Sequence, residues 1–168
     1  MTATPEDGPS SDGTPGSDGD MRLSIDWRVV LRGSLVGLAI IVPVTVLRVV
    51  LDRELADFDN SGWVYPLFVL LLAGYFAAGW VAGRARPDAP YSHGALAGIG
   101  VLVLWIPVRI VIWAVREDGR GLVDGEHAAL RPGQIFGHVV IAATLAMLGA
   151  LLATRVQQRR TTPEAPPR

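Results

Sequence analysis

The stretch Trp63–Gly83, WVYPLFVLLLAGYFAAGWVAG, contains no charged residue from end to end. A helix needs about 20 apolar residues to cross a bilayer core of ~30 Å. A soluble helix of that length would carry a polar face. A strand of a membrane barrel would alternate apolar and polar residues over about 10 positions. This stretch does neither, so it reads as a transmembrane helix, and the rest of the chain follows its pattern.

Three more apolar blocks flank it. Pro132–Thr154 is slightly longer still, with His138 as its only titratable group. Gly94–Val115 contains Arg109, and Val29–Leu51 contains Arg32 and Arg48 near its ends. A long arginine side chain near a helix end can carry its charge to the headgroups. The connections Asp52–Gly62, Arg84–His93 and Arg116–Arg131 are too short for a soluble domain. The expected fold class is all-α: a polytopic membrane protein with four transmembrane helices, spanning about 29–51, 63–83, 94–115 and 132–154. Residues 1–26 are rich in Pro, Gly, Ser and acid and read as a disordered tail. Residues 27–156 form the transmembrane domain, and 157–168 form a second polar tail.

Composition narrows the function. Half of the 168 residues are hydrophobic, mean hydropathy is +0.36 and net charge is −1. That balance speaks against a nucleic-acid partner. The chain has no cysteine, which excludes disulfides and thiolate sites. All 15 basic residues are arginine, and the Ala, Gly and Val load suggests a GC-rich bacterial genome. No His-Glu-x-x-His, phosphate loop or nucleophile elbow is present. No acid lies inside any span, so a buried carboxylate pair is missing. The chain therefore reads as a non-enzyme, with no catalytic residue, metal site or cofactor.

Arginine placement suggests an orientation. Four spans put both termini on one side, with Arg22, Arg28, Arg84, Arg86, Arg155, Arg159 and Arg160 near helix ends there. The other side has Arg53, Arg116, Arg120 and Arg131 among eight acids. The excess of basic residues assigns the first side to the cytoplasm of a bacterial inner membrane.

An internal repeat is also legible. Setting Gly33 of the first span on Gly94 of the third lays Leu35, Gly37, Val42, Arg48 and Val50 on identical residues as well. The fourth span relates more weakly to the second. The pattern describes two tandem hairpins, and an even number of spans per unit makes them parallel repeats about an axis along the membrane normal.

Two sets of residues stand out. Gly-x-x-x-Gly pairs occur at Gly33–Gly37, Gly79–Gly83, Gly94–Gly98 and Gly133–Gly137. Small residues let helices approach closely in lipid, either inside the bundle, the leading reading, or across a homodimer. The second set is Arg48, Arg109, His138 and Tyr65, all in the half of the membrane away from the termini. They form either an anion-binding polar pocket or, the leading reading, a structural cluster with the arginines paired to loop acids. The loop GRARPDAPYSHGALAG, residues 83–98, reads as a hairpin join in which Pro87 and Pro90 stop helix propagation and Ser92 caps the next helix.

The segment Ala73–Gly100, AGYFAAGWVAGRARPDAPYSHGALAGIG, resembles a loose group of small uncharacterised four-helix bacterial membrane proteins. Their middle hairpin carries a similar Gly-Arg, short loop and His-Gly-x-x-x-Gly. The resemblance implies a bundle and a hairpin, and no activity or site residue. The partners expected are the lipid bilayer and either a second copy or another membrane protein. The functional reading is a membrane interaction or accessory protein; the alternative is a small transporter or channel subunit acting as a homo-oligomer.

Overall fold

The computed structural model describes residues 25–55, 57–58, 60–116 and 132–161. The expected tail over residues 1–24, the end of the second tail at 162–168, and the connection 117–131 with His127 lie outside the described residues. Four helices make up the fold: α1 (Trp27–Glu54), α2 (Val64–Ala85), α3 (Pro90–Arg116) and α4 (Pro132–Thr161). Each is long and apolar enough to cross a membrane, and no strand occurs among the described residues. This is the all-α four-helix architecture of a multi-pass membrane protein.

Local chemistry sets the helix ends. Asp26 caps α1, its carboxylate accepting from the Arg28 N–H at 3.1 Å. Pro87 follows the end of α2 and cannot continue it. Pro90 is the first residue of α3, where its missing N–H costs nothing. Ser92 therefore lies inside the first turn rather than at the cap, and its hydroxyl donates to the Ala89 carbonyl at 3.3 Å. At the other end of the chain, α4 continues through Thr161, beyond the point where a polar tail was expected. Helices α1 and α3 run unbroken through Pro43 and Pro107.

We call the end of the bundle bearing the start of α1 and the α2–α3 turn proximal, and the opposite end distal. Helix α1 packs on α2 and α3, α4 packs on the same two, and α2 meets α3. Among the described residues α1 and α4 do not touch. A two-fold axis exchanging the hairpins would turn the α2–α3 contact into an α4–α1 contact. The hairpins α1–α2 and α3–α4 instead stack side by side, with the equivalent, parallel helices as neighbours. This departs from the axial arrangement expected from the repeat.

Small residues make the stacking tight. On α4, Ala142, Ala146, Ala150 and Ala153 are fully buried along one stripe. Gly33 and Gly37 of α1, and Gly94 and Gly98 of α3, face the second helix of their own hairpin. A Cβ on Gly33 would come within 2.7 Å of the Ala78 carbonyl oxygen, and one on Gly98 within 2.5 Å of the Ala142 carbonyl oxygen. Gly37 faces Gly74 and Ala78, and Gly94 faces Ala146 and Ala150. Gly79 and Gly83 face Ala146 and Ala150 across the seam between hairpins. Among the described residues, Gly133 and Gly137 have nothing within 4 Å of a built Cβ, so that pair joins none of the described helices.

Ile41, Tyr75, Ala78 and Val101 close the centre. A smaller cluster of Val44, Phe58 and Leu67 seals the distal end of α1 and α2. Only 28% of the apolar stretch of α1, α2 and α3, and 22% of that of α4, is buried in the bundle. Most of each helix therefore presents apolar side chains outward, where a soluble protein would present charge.

Candidate functional site

At the distal end the sequence placed Arg48, Arg109, His138 and Tyr65 in one half of the membrane. The structure gathers two of them on a residue the sequence reading passed over, Trp105. This indole is 8% exposed and its Nε1–H donates to the Thr45 hydroxyl at 3.3 Å. Thr45 in turn donates to the Ile41 carbonyl at 2.8 Å. The His138 ring stacks on Trp105 with centroids 6.2 Å apart and planes 17° from parallel. The Arg109 guanidinium lies 5.0 Å from the Trp105 ring centre. An Arg–indole contact of this kind contributes about 0.5–2 kcal/mol, more as it is desolvated. Helices α1, α3 and α4 thus meet on one indole.

The His138 tautomer follows from its neighbour. Its Nδ1 is 2.6 Å from the Gln134 carbonyl oxygen, which only accepts, so Nδ1 carries the hydrogen. In the neutral ring Nε2 is then the acceptor. Arg48 takes a different partner: its guanidinium lies 5.9 Å from the ring centre of Phe58. Phe58 is buried although its neighbours in sequence, Asp57 and Asp59, are acidic. Tyr65 is 76% exposed, at the start of α2. The four residues therefore occupy separate settings: Arg109 and His138 share Trp105, Arg48 sits on Phe58, and Tyr65 faces outward. The spacing Trp105–Arg109, one helical turn on a single helix, was the available signal for the first of these.

A second polar assembly closes the proximal end, in the loop read as a hairpin join. His93 is 3% exposed. Its Nδ1 lies 3.0 Å from the Ala89 carbonyl oxygen and therefore carries the hydrogen. Its Nε2 accepts the backbone N–H of Asp26 at 3.2 Å, across 67 residues of sequence. The Asp26 carboxylate also pairs with Arg86 at 3.2 Å, and Arg86 lies 3.7 Å from Asp88. One histidine and one arginine thus fasten the start of α1 to the α2–α3 turn. Nearby, the Ser34 hydroxyl shares its one hydrogen between the carbonyls of Val30 at 2.9 Å and Ala97 at 3.0 Å, tying α1 to α3. Every buried side-chain polar atom among the described residues has a partner.

The chain matches no protein-family model, no curated protein and no solved structure. What the sites can do therefore rests on their own chemistry. The distal assembly offers a guanidinium, an imidazole and an indole, which suit an anion or an aromatic surface. Among the described residues no three His, Cys, Asp or Glu side chains gather as metal ligands would. The proximal assembly is a clasp, with its polar atoms spent on one another.

The clasp has a pH signature. The hydrogen bond from Arg86 holds the Asp26 carboxyl below the usual value of 3.8, aided by backbone N–H donors and opposed by partial desolvation. A carboxyl whose folded value is depressed contributes fully above its unfolded value and loses that contribution as pH falls through the folded one. Carboxyl titration of the purified protein should put Asp26 below the usual 3.8, and Arg86→Gln should move it back toward that value. An Asp26 midpoint unmoved by Arg86→Gln would assign the shift to the backbone donors instead.

Proposed function

We propose that this protein is a multi-pass protein of a bacterial inner membrane, with both termini in the cytoplasm, that serves as a non-enzymatic interaction or accessory subunit. The observation that carries the reading is the closed centre of the bundle. Ile41 and Val101 are fully buried, Tyr75 is 1% exposed, and the helices touch through glycine and alanine. A conduit needs polar groups lining a path through the midplane, and the Ser34 and Thr45 hydroxyls are instead spent on backbone carbonyls. The outward apolar faces and the buried polar clasps suit a rigid module that docks in the membrane. The arginine excess at the proximal end supports the orientation. The resemblance of Ala73–Gly100 to small four-helix bacterial membrane proteins is compatible with this role.

The second reading, a transporter or channel subunit built from several copies, draws on Arg109 and His138 at the distal end. Any path would then run between copies, along faces such as that bearing Gly133 and Gly137, where a built Cβ meets nothing within 4 Å among the described residues. Two measurements separate the readings. Vesicles containing the purified protein should show ion and small-anion flux no greater than empty vesicles. Photo-crosslinking groups placed at the exposed positions Leu35, Phe68 and Val140 should capture a distinct membrane protein in cells. Flux above background would replace the accessory reading with the transport one, and crosslinks to lipid alone would remove the partner.

A further inference from the structure

Among the described residues, the proximal end carries more arginine than the clasp uses. Its described acids, Asp26 and Asp88, both pair with Arg86. Arg28, Arg32, Arg84, Arg155, Arg159 and Arg160 have no carboxylate partner among the described residues. Helices α2 and α4 contain no acid at all. A concentration of guanidinium groups at one end of a membrane bundle is complementary to an anionic surface.

One of these arginines is held in place. On α2, Phe76, Trp80 and Arg84 follow one another at four-residue intervals. The Phe76 and Trp80 rings lie 6.0 Å apart, and the Arg84 guanidinium lies 5.7 Å from the Trp80 ring centre. Taking ~100° per residue, these side chains lie about 60°, 100° and 140° around α2 from Gly79, which faces α4. On α4, Gly149, Val156, Leu152 and Arg159 turn about 60°, 80°, 120° and 140° the opposite way from Ala146. For two parallel helices facing each other, opposite rotations reach the same flank. The contact of Gly149 with the backbone of Phe76 and Trp80 fixes that side independently. Because Gly149 lets α4 sit against the α2 backbone, the two aromatic rings are turned out along the seam. The result is a ladder of aromatic groups at hydrocarbon depth, topped by arginine at the headgroup level.

We propose that this flank of the α2–α4 seam binds an anionic phospholipid, with Arg84 donating to its phosphate and Phe76 and Trp80 lying along an acyl chain. Trp80 supports the guanidinium from below and leaves its N–H edges to the headgroup. The site is independent of the accessory role proposed above and of which leaflet the proximal end occupies.

Native mass spectrometry of the full chain in mild detergent tests the site, with phosphatidylglycerol, phosphatidylcholine and inorganic phosphate as probes. Phosphatidylglycerol should be retained in preference to phosphatidylcholine. Arg84→Gln should weaken that retention about fivefold, the effect of one arginine near an anionic surface. Arg28→Gln, on a helix that does not touch α4, should leave it unchanged. Trp80→Leu should weaken it while Arg84 is still present. The thermal stability of each lipid-free variant, read alongside, separates lost lipid from lost fold. Equal retention of the two lipids, or equal effects of Arg84→Gln and Arg28→Gln, would overturn the site. Competition by inorganic phosphate at millimolar concentration would assign the arginine to a free anion instead.

Discussion

Gly79→Leu should destabilise the bundle more than any other single glycine substitution in the chain. A Cβ at this position would overlap the backbone of Ala146, with its Cα only 2.5 Å away and its carbonyl group nearer still. Backbone cannot rotate aside as a side chain can, so α2 and α4 must separate. The separation would also open the contacts of Gly83 with Ala150 and of Gly149 with Phe76, which lie along the same seam. In lipid no hydrophobic drive compensates, because acyl chains are as apolar as leucine and association rests on close packing. Overpacking of a tight core costs about 1–3 kcal/mol, and a backbone clash belongs at or above the top of that range. Reversible unfolding in mixed detergent micelles would measure it. Gly137→Leu, at a position that meets nothing within 4 Å among the described residues, should stay within about 0.5 kcal/mol of the parent. If the two variants were equally stable, the seam would not be held by glycine contact.

The contrast between those glycines shows what local pattern reveals. The four spans were legible because uninterrupted apolar length is a bulk property, readable without knowing any neighbour. The Gly-x-x-x-Gly pairs were legible as small faces, but what each face meets depends on how the hairpins stack. The repeat identified equivalent helices, but the axial arrangement read from it did not follow, since laying Gly33 on Gly94 fits a side-by-side pairing equally well. The distal polar residues show the same limit. Helical geometry put Arg48 and Arg109 on equivalent faces, yet Arg109 has Trp105 one turn below it, where the first repeat has Val44. Arg48 turned to Phe58, a single aromatic residue in an acidic loop whose burial no periodicity signals.

His93→Ala should release the start of α1. In the sequence this histidine is one residue of a hairpin join, and only the fold brings the Asp26 backbone to its Nε2. The ring is buried, and both of its nitrogens meet backbone groups of different elements. Alanine would leave the Asp26 N–H without a protein acceptor, at about 1–3 kcal/mol where such a group is shielded from water, and would add a cavity the size of the ring. The Arg86–Asp26 pair would remain, but it is partly exposed, and pairs of that kind contribute little alone. The loss should therefore be local as well as global: amide exchange should accelerate at Trp27–Val30 far more than at Ala97–Val101, where the Ser34 link to α3 is intact. Two further variants separate packing from hydrogen bonding. His93→Phe restores the volume and leaves the Asp26 N–H unmet, so exchange in the first turn should stay fast. His93→Gln places an acceptor oxygen near the former Nε2 and should recover part of the protection. If phenylalanine protected the first turn as well as histidine does, ring volume alone would hold the clasp and the hydrogen bond across 67 residues would add nothing.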